Sequence, residues 1–163
     1  MALFYNLLTQ SYLREPPAWF HTRILVGPGA YLTPAFAAKY NITHVVNCAF
    51  ETDSPLWFQT KFPEKYACMR ALDSIAANIL DWFPLFEQTV QSFLREGNGV
   101  VYVHCQAGMN RSAFLALLYV TKNFHADLNY TLAATKRQRP CMYGNPVYMK
   151  QVREFINGRL PRS

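Results

Sequence analysis

Residues 100–120 limit the fold of this chain more than any other stretch. The apolar run Val100-Val101-Tyr102-Val103 leads into His104-Cys105-Gln106-Ala107-Gly108-Met109-Asn110-Arg111-Ser112, and a second apolar run, residues 113–120, follows. A continuous run of β-branched and aromatic residues suits a strand buried on both faces. The second run has no polar face and reads as a buried helix. Strand, short loop and buried helix make half of a β-α-β unit. Further strand and helix patterns alternate along the chain. The expected class is therefore α/β, with a central, mostly parallel, twisted sheet flanked by helices.

The loop between the two runs carries the chemistry. At a helix start, several backbone N–H groups and the positive end of the helix converge on one point, which makes an anion site. A thiol at Cys105 and a guanidinium at Arg111, six positions on, meet an anion held there. The planar fork of arginine can hold two phosphate oxygens at once, which a lysine cannot do. Gly108 allows close approach of backbone to the anion. Gln106, Ala107, Met109 and Asn110 chiefly lend their N–H groups. The loop amides, the helix end and Arg111 all favour ionised sulfur, so Cys105 is expected to act as a thiolate. Such a constellation can break a phosphate ester through a cysteinyl-phosphate. The plainer reading, a small buried cysteine and an unrelated surface arginine, does not account for the agreement of spacing, Gly108, Ser112 and context.

Elsewhere the signals organise a single domain, as suits 163 residues with 12 Phe, 10 Tyr and 3 Trp. Residues 3–13 carry apolar side chains at helical spacing before Pro16-Pro17 breaks the pattern. This helix either packs on its own domain or on a second copy of the chain, giving a homodimer. Residues 1–20 are expected to form this helix and a linker, and 21–163 the main domain. Strands are expected at 23–26, 42–48, 66–72 and 100–103. Thr33 should cap a short helix with Pro34 in its first turn, and Asn41 should end it in the left-handed conformation. Residues 51–63 read as a loop around Pro55 and Pro63, and residues 73–78 as a polar loop. Asp81 is expected to cap a helix reaching Arg95, Asp127 to begin one reaching Arg139, and Asn145-Pro146 to open a last one closed by Asn157-Gly158.

Several classes recede. No apolar run approaches the ~20 residues of a membrane span, and Met1-Ala2-Leu3-Phe4-Tyr5 lacks the basic start of a secretory signal. Cys48, Cys68, Cys105 and Cys141 have neither metal-ligand spacing nor a disulfide framework, so neither metal nor cofactor is expected and the cytoplasm or nucleus is the expected compartment. His21, His44 and His125 have no ligand spacing. The formal charge of +6 suits an anionic substrate, but equally nucleic acid or acidic lipid.

The segment HCQAGMNRS resembles the Cys-x5-Arg signature loop of the protein tyrosine phosphatase superfamily, in the form most similar to dual-specificity phosphatases. Residues 39–47 resemble a helix end and strand of that family, and residues 136–140 with Asn145-Pro146 resemble its closing helices. The resemblance covers about residues 22–156. It implies a protein tyrosine phosphatase-like fold and a phosphoprotein substrate carrying phosphotyrosine, phosphoserine or phosphothreonine. It also makes Cys105 the nucleophile, Arg111 the phosphate-binding arginine, Ser112 the hydroxyl that helps sulfur leave, and His104 a supporting residue that orders the loop. The family places a general-acid aspartate about thirty residues before the cysteine, which selects Asp73. Asp81 and Asp53 are the rivals. Asn145 resembles the asparagine that braces the signature loop, although a helix-cap role also explains it. Lys136, Arg137 and Arg139 read as a solvated helix face, with recruitment of acidic substrates as the sharper alternative. A regulatory disulfide from Cys48 or Cys68 to Cys105 stays open.

Small size and the lack of a docking domain point to the compact, atypical group, and the N-terminal helix resembles that of the poxvirus enzymes. Two other functions compete. An RNA 5′-triphosphatase of the same fold fits Asn110 but not Ala107 or Ser112. A phosphoprotein-binding pseudoenzyme sits poorly with intact Cys105, Arg111 and Asp73.

Overall fold

The computed structural model describes residues 13–159, so the helix expected at 3–13 lies almost wholly outside the described residues. Five strands form one sheet: β1 (Ala18–His21), β2 (Ile24–Pro28), β3 (Ile42–Asn47), β4 (Tyr66–Cys68) and β5 (Val100–Cys105). Their order is β1-β2-β5-β3-β4, with β1 antiparallel to β2 and the other three pairs parallel. The mostly parallel α/β sheet expected from the sequence is present. Among the described residues six α-helices accompany it: α1 (Pro34–Lys39), α2 (Leu56–Lys61), α3 (Phe83–Arg95), α4 (Arg111–Asn123), α5 (Leu128–Gln138) and α6 (Pro146–Arg159).

β5 lies between β2 and β3, opposite Pro28 at Cys105 and opposite Gly27 and Asn47 at His104. Its central place explains its unbroken apolar run, since both faces are covered. Alternate side chains point to opposite faces. Val101, Val103 and Cys105 join the larger core with α3, α4 and α6, while Val100 and Tyr102 join the smaller core with Leu32, Ala37 and Phe58. In α4 every residue from Arg111 to Val120 is buried. Each fully buried Leu or Phe there contributes roughly 1.5–3 kcal/mol relative to exposure. The helix that starts at the signature loop is thus firmly anchored in the core.

Local signals account for most boundaries. The Thr33 side chain accepts a hydrogen bond from Phe36 N at 3.1 Å. Asn41 has φ 55°. Asp127 caps α5 by accepting from Tyr130 N at 2.8 Å.

Five expectations need correction. β1 is a strand that begins in the segment 1–20 read as helix and linker and crosses its end at residue 21; Trp19 and Phe20 follow two prolines, and only pairing with β2 reveals it. Residues 51–63 are not a plain loop: a 3-10 turn (Glu51–Asp53) and α2 occupy them, with Pro55 just before α2 and Pro63 just after it. Asp81 does not cap α3; it lies in a 3-10 turn (Ile79–Asp81) whose cap is Asn78, accepting from Leu80 N at 3.0 Å. The strand expected over 66–72 stops at Cys68, and α6 runs through Gly158 to Arg159.

Candidate active site

The signature loop leaves β5 at Cys105 and enters α4 at Arg111. Gly108 has φ 65°, and a Cβ there would lie 2.4 Å from Gly27 C and 2.6 Å from Pro28 N. Only glycine fits. The loop carbonyls point away from its concave side and are held from behind. Arg139 donates from Nε to Gly108 O at 3.0 Å and from Nη2 to Ala107 O at 2.7 Å. Tyr143 N donates to Met109 O at 2.8 Å. With carbonyls tied outward, successive N–H groups are left to line the inner face of the loop, beside the positive end of α4.

Arg139 therefore does not belong to a solvated helix face. It is fully buried, and its Nη1 also donates to Glu15 O at 2.9 Å. Position 139 follows α5 rather than continuing it, so its side chain leaves the exposed row of Lys136 and Arg137. A basic residue just before a proline is the only local signal of this role.

At the centre, Cys105 Sγ lies 3.1 Å from Ser112 Oγ, and Cys105 is only 2 % exposed. Ser112 sits in the first turn of α4, so its hydroxyl is aimed at the sulfur by the helix itself. Arg111, also in that turn, donates from Nη1 to Ala71 O at 3.0 Å. Its Nε is buried without a hydrogen-bond partner among the described residues. An unpartnered guanidinium N–H is costly to bury, and beside an anion cradle it is the donor an oxyanion would satisfy.

His104 points to the opposite face of β5, beside Tyr102 with ring centroids 5.9 Å apart. Its Nδ1 lies 3.3 Å from Cys105 O and its Nε2 lies 3.0 Å from Ser54 Oγ. A carbonyl can only accept, so the proton is assigned to Nδ1, and Nε2 accepts from the Ser54 hydroxyl. Burial lowers the His104 pKa to about 4, which keeps the ring neutral. Sequence reasoning missed Ser54, which is 50 residues away and carries no local signal.

The loop bearing Asp73 is tied to this centre by its backbone and its carboxylate. Tyr148 donates its hydroxyl to Leu72 O and receives Ser74 N at 3.4 Å. Asp73 accepts from Asn110 Nδ2 at Oδ2 and from Asn145 Nδ2 at Oδ1, both at 3.1 Å. Asn145 also caps α6, its Oδ1 accepting from Val147 N at 3.0 Å and Tyr148 N at 3.2 Å. Asn145 is therefore a helix cap whose side-chain amide reaches Asp73, and it meets the signature loop only through its backbone N–H, which donates to Asn110 Oδ1 at 2.9 Å. Burial, first of all, raises the Tyr148 pKa, and the hydrogen bond from Ser74 N partly offsets it. The structure thus gathers Cys105, Arg111, Ser112, Asp73, Asn110 and Asn145 into one region. It puts His104 behind the loop, and it leaves Asp53 holding Phe50 N at 3.1 Å in a turn.

Cys48, in the same core cluster as Cys105, has its thiol pushed well above the usual range, chiefly by burial. Among the described residues no group of His, Cys, Asp or Glu could hold a metal ion, and no helix is long and apolar enough to cross a membrane.

Comparisons with known proteins show the family and the fold. The chain is 33% identical over 122 residues to dual specificity protein phosphatase 19 of Mus musculus, covering 74% of this chain and 53% of that protein. It is 31% identical over 123 residues to dual specificity protein phosphatase 22-B of Danio rerio, covering 76% and 64%. The chain therefore spans about half to two thirds of the length of these relatives. The fold is shared with the human tyrosine phosphatase-like serine/threonine/tyrosine-interacting protein, with a TM-score of 0.74 at 23% identity over 89% of this chain and 98% of that one. It is shared equally with a mouse putative dual specificity phosphatase crystallised with zinc tungstate, with a TM-score of 0.74 at 20% identity over 88% of both chains. The family model for the dual specificity phosphatase catalytic domain matches residues 24–157. With that match spanning β2 to β5, the signature loop and nearly all of the closing helices, the chain belongs to the dual specificity phosphatase family.

Proposed function

We propose that this chain hydrolyses phosphotyrosine and phosphoserine or phosphothreonine in proteins through a cysteinyl-phosphate on Cys105. The phosphoryl group sits in the loop 105–111, where Arg111 and the backbone N–H groups of Gln106, Ala107, Gly108, Met109 and Asn110 hold its oxygens. The sulfur attacks phosphorus as the ester bond breaks, and Asp73 gives its proton to the departing oxygen. The resulting carboxylate then takes a proton from water, which attacks phosphorus and releases inorganic phosphate. The departing sulfur receives a hydrogen bond from Ser112. Charge on the transferring group is held by fixed donors throughout, which is how phosphoryl transfer is chiefly accelerated.

The observation that carries this reading is the 3.1 Å approach of Ser112 Oγ to Cys105 Sγ, beside an arginine whose buried Nε has no partner among the described residues. The acid loop is open to solvent, with Leu72 53% and Ile75 75% exposed. An exposed acid loop leaves room for both short and long phosphorylated side chains. All four cysteines are unpaired, which fits work in a reducing compartment such as the cytoplasm or nucleus.

The test compares wild type with Cys105→Ser on phosphotyrosyl and phosphoseryl peptides, with 5′-triphosphate RNA as a third substrate. The reading requires phosphate release from both peptides by wild type and none by the variant. Release from RNA alone, or from nothing, would refute it.

A further inference from the structure

We infer that Asn110 is a positioning residue for the general acid: its side chain fixes Asp73 to the phosphate-holding loop, and so sets how well the enzyme expels poor, alkyl leaving groups. The inference rests on the hydrolytic reading above and deepens it.

Asn110 occupies the residue before the first turn of α4, where an asparagine ordinarily turns its side-chain oxygen onto the helix N–H groups. Here it makes no such bond. Its Oδ1 instead accepts from Asn145 N at 2.9 Å, and its Nδ2 donates to Asp73 Oδ2 at 3.1 Å. The whole amide faces outward, across to the acid loop and to the start of α6.

The two asparagines on Asp73 differ in what they belong to. Asn145 ties one oxygen to the α6 scaffold. Asn110 ties the other to the loop that holds the phosphoryl group, next to Arg111. Only the second bond directly links the proton donor to the loop that holds the group being cleaved. Arg111 adds a parallel link from the same loop to Ala71 O at 3.0 Å, but that one holds backbone and leaves the carboxylate free to rotate. Orientation of a proton donor matters in proportion to the need for the proton. Alkoxide leaving groups from phosphoserine and phosphothreonine need it most, and strongly acidic phenols least.

The experiment is a double-mutant cycle between Asn110→Ala and Asp73→Asn, read on a phosphoseryl peptide and on a fluorinated aryl phosphate. Asn110→Ser serves as a second variant, and thermal unfolding identifies any variant that does not fold. The expected result is a loss of kcat on the phosphoseryl peptide about tenfold or more larger than on the aryl ester, at similar KM. In the Asp73→Asn background the Asn110 change should add less than about twofold, because it acts through the missing acid. Equal losses on the two substrates, or full additivity with Asp73→Asn, would overturn the role of Asn110 while leaving the hydrolytic reading intact. A wild-type chain inactive on every phosphate ester would overturn both.

Discussion

Arg139 Nε donates to the carbonyl of Gly108 at 3.0 Å across 31 residues of sequence. The same guanidinium holds Ala107 O, so one buried fork shapes the back of the anion cradle. Arg139→Ala leaves two loop carbonyls without their donor and a cavity behind them. A loss of about 3 kcal/mol in unfolding free energy is expected in urea titrations, with a drop in kcat/KM. Arg139→Lys should recover little of either, because a lysine cannot satisfy two carbonyls in a fixed plane.

Asp73→Asn keeps both amide contacts sterically close but cannot give up a proton. Turnover of phosphoseryl peptides should fall by about 10²–10⁴. Hydrolysis of an aryl phosphate with a very acidic phenol should fall far less, since that leaving group departs unprotonated. Comparing kcat on the two substrates decides the assignment; equal losses would point away from Asp73.

His104 gives the fold a pH dependence of known sign. Its pKa is lowered from 6.5 to about 4 by burial, so between these values the unfolded chain binds the proton and the folded one does not. The stabilisation is complete above about pH 6.5 and is lost as pH falls toward 4. It amounts to about 3 kcal/mol at most, from 1.36 kcal/mol for each unit of pKa difference. Chemical denaturation at pH 7, 5.5 and 4.5 should show the decline, and His104→Gln should flatten it across that window.

What the sequence made legible was local. The strand-loop-helix around Cys105, the Thr33 and Asp127 caps and the left-handed Asn41 are each determined by a few adjacent residues. What it hid depends on contacts between distant segments. Arg139 reads as one more base on a polar helix, because its partners lie some 31 residues away in the signature loop. Ser54 is an ordinary loop serine until His104 is placed over it. β1 has no alternating pattern of its own and exists through its pairing with β2. α2 is short, and its flanking prolines read as a loop although they stand just outside it. Asn110 reads as a donor of loop backbone, since nothing in one dimension shows that its amide bypasses its own helix to reach Asp73.

The central claim is that sulfur at position 105 becomes phosphorylated during turnover. Ser112→Ala should slow departure of that sulfur and let the intermediate accumulate. Acid quenching of this variant during turnover of a phosphotyrosyl peptide, followed by peptide mapping in a mass spectrometer, tests the claim most directly. The account predicts one phosphoryl group per active chain, on Cys105. Phosphate release that proceeds with no phosphorylated cysteine, or with the group on another residue, would contradict it.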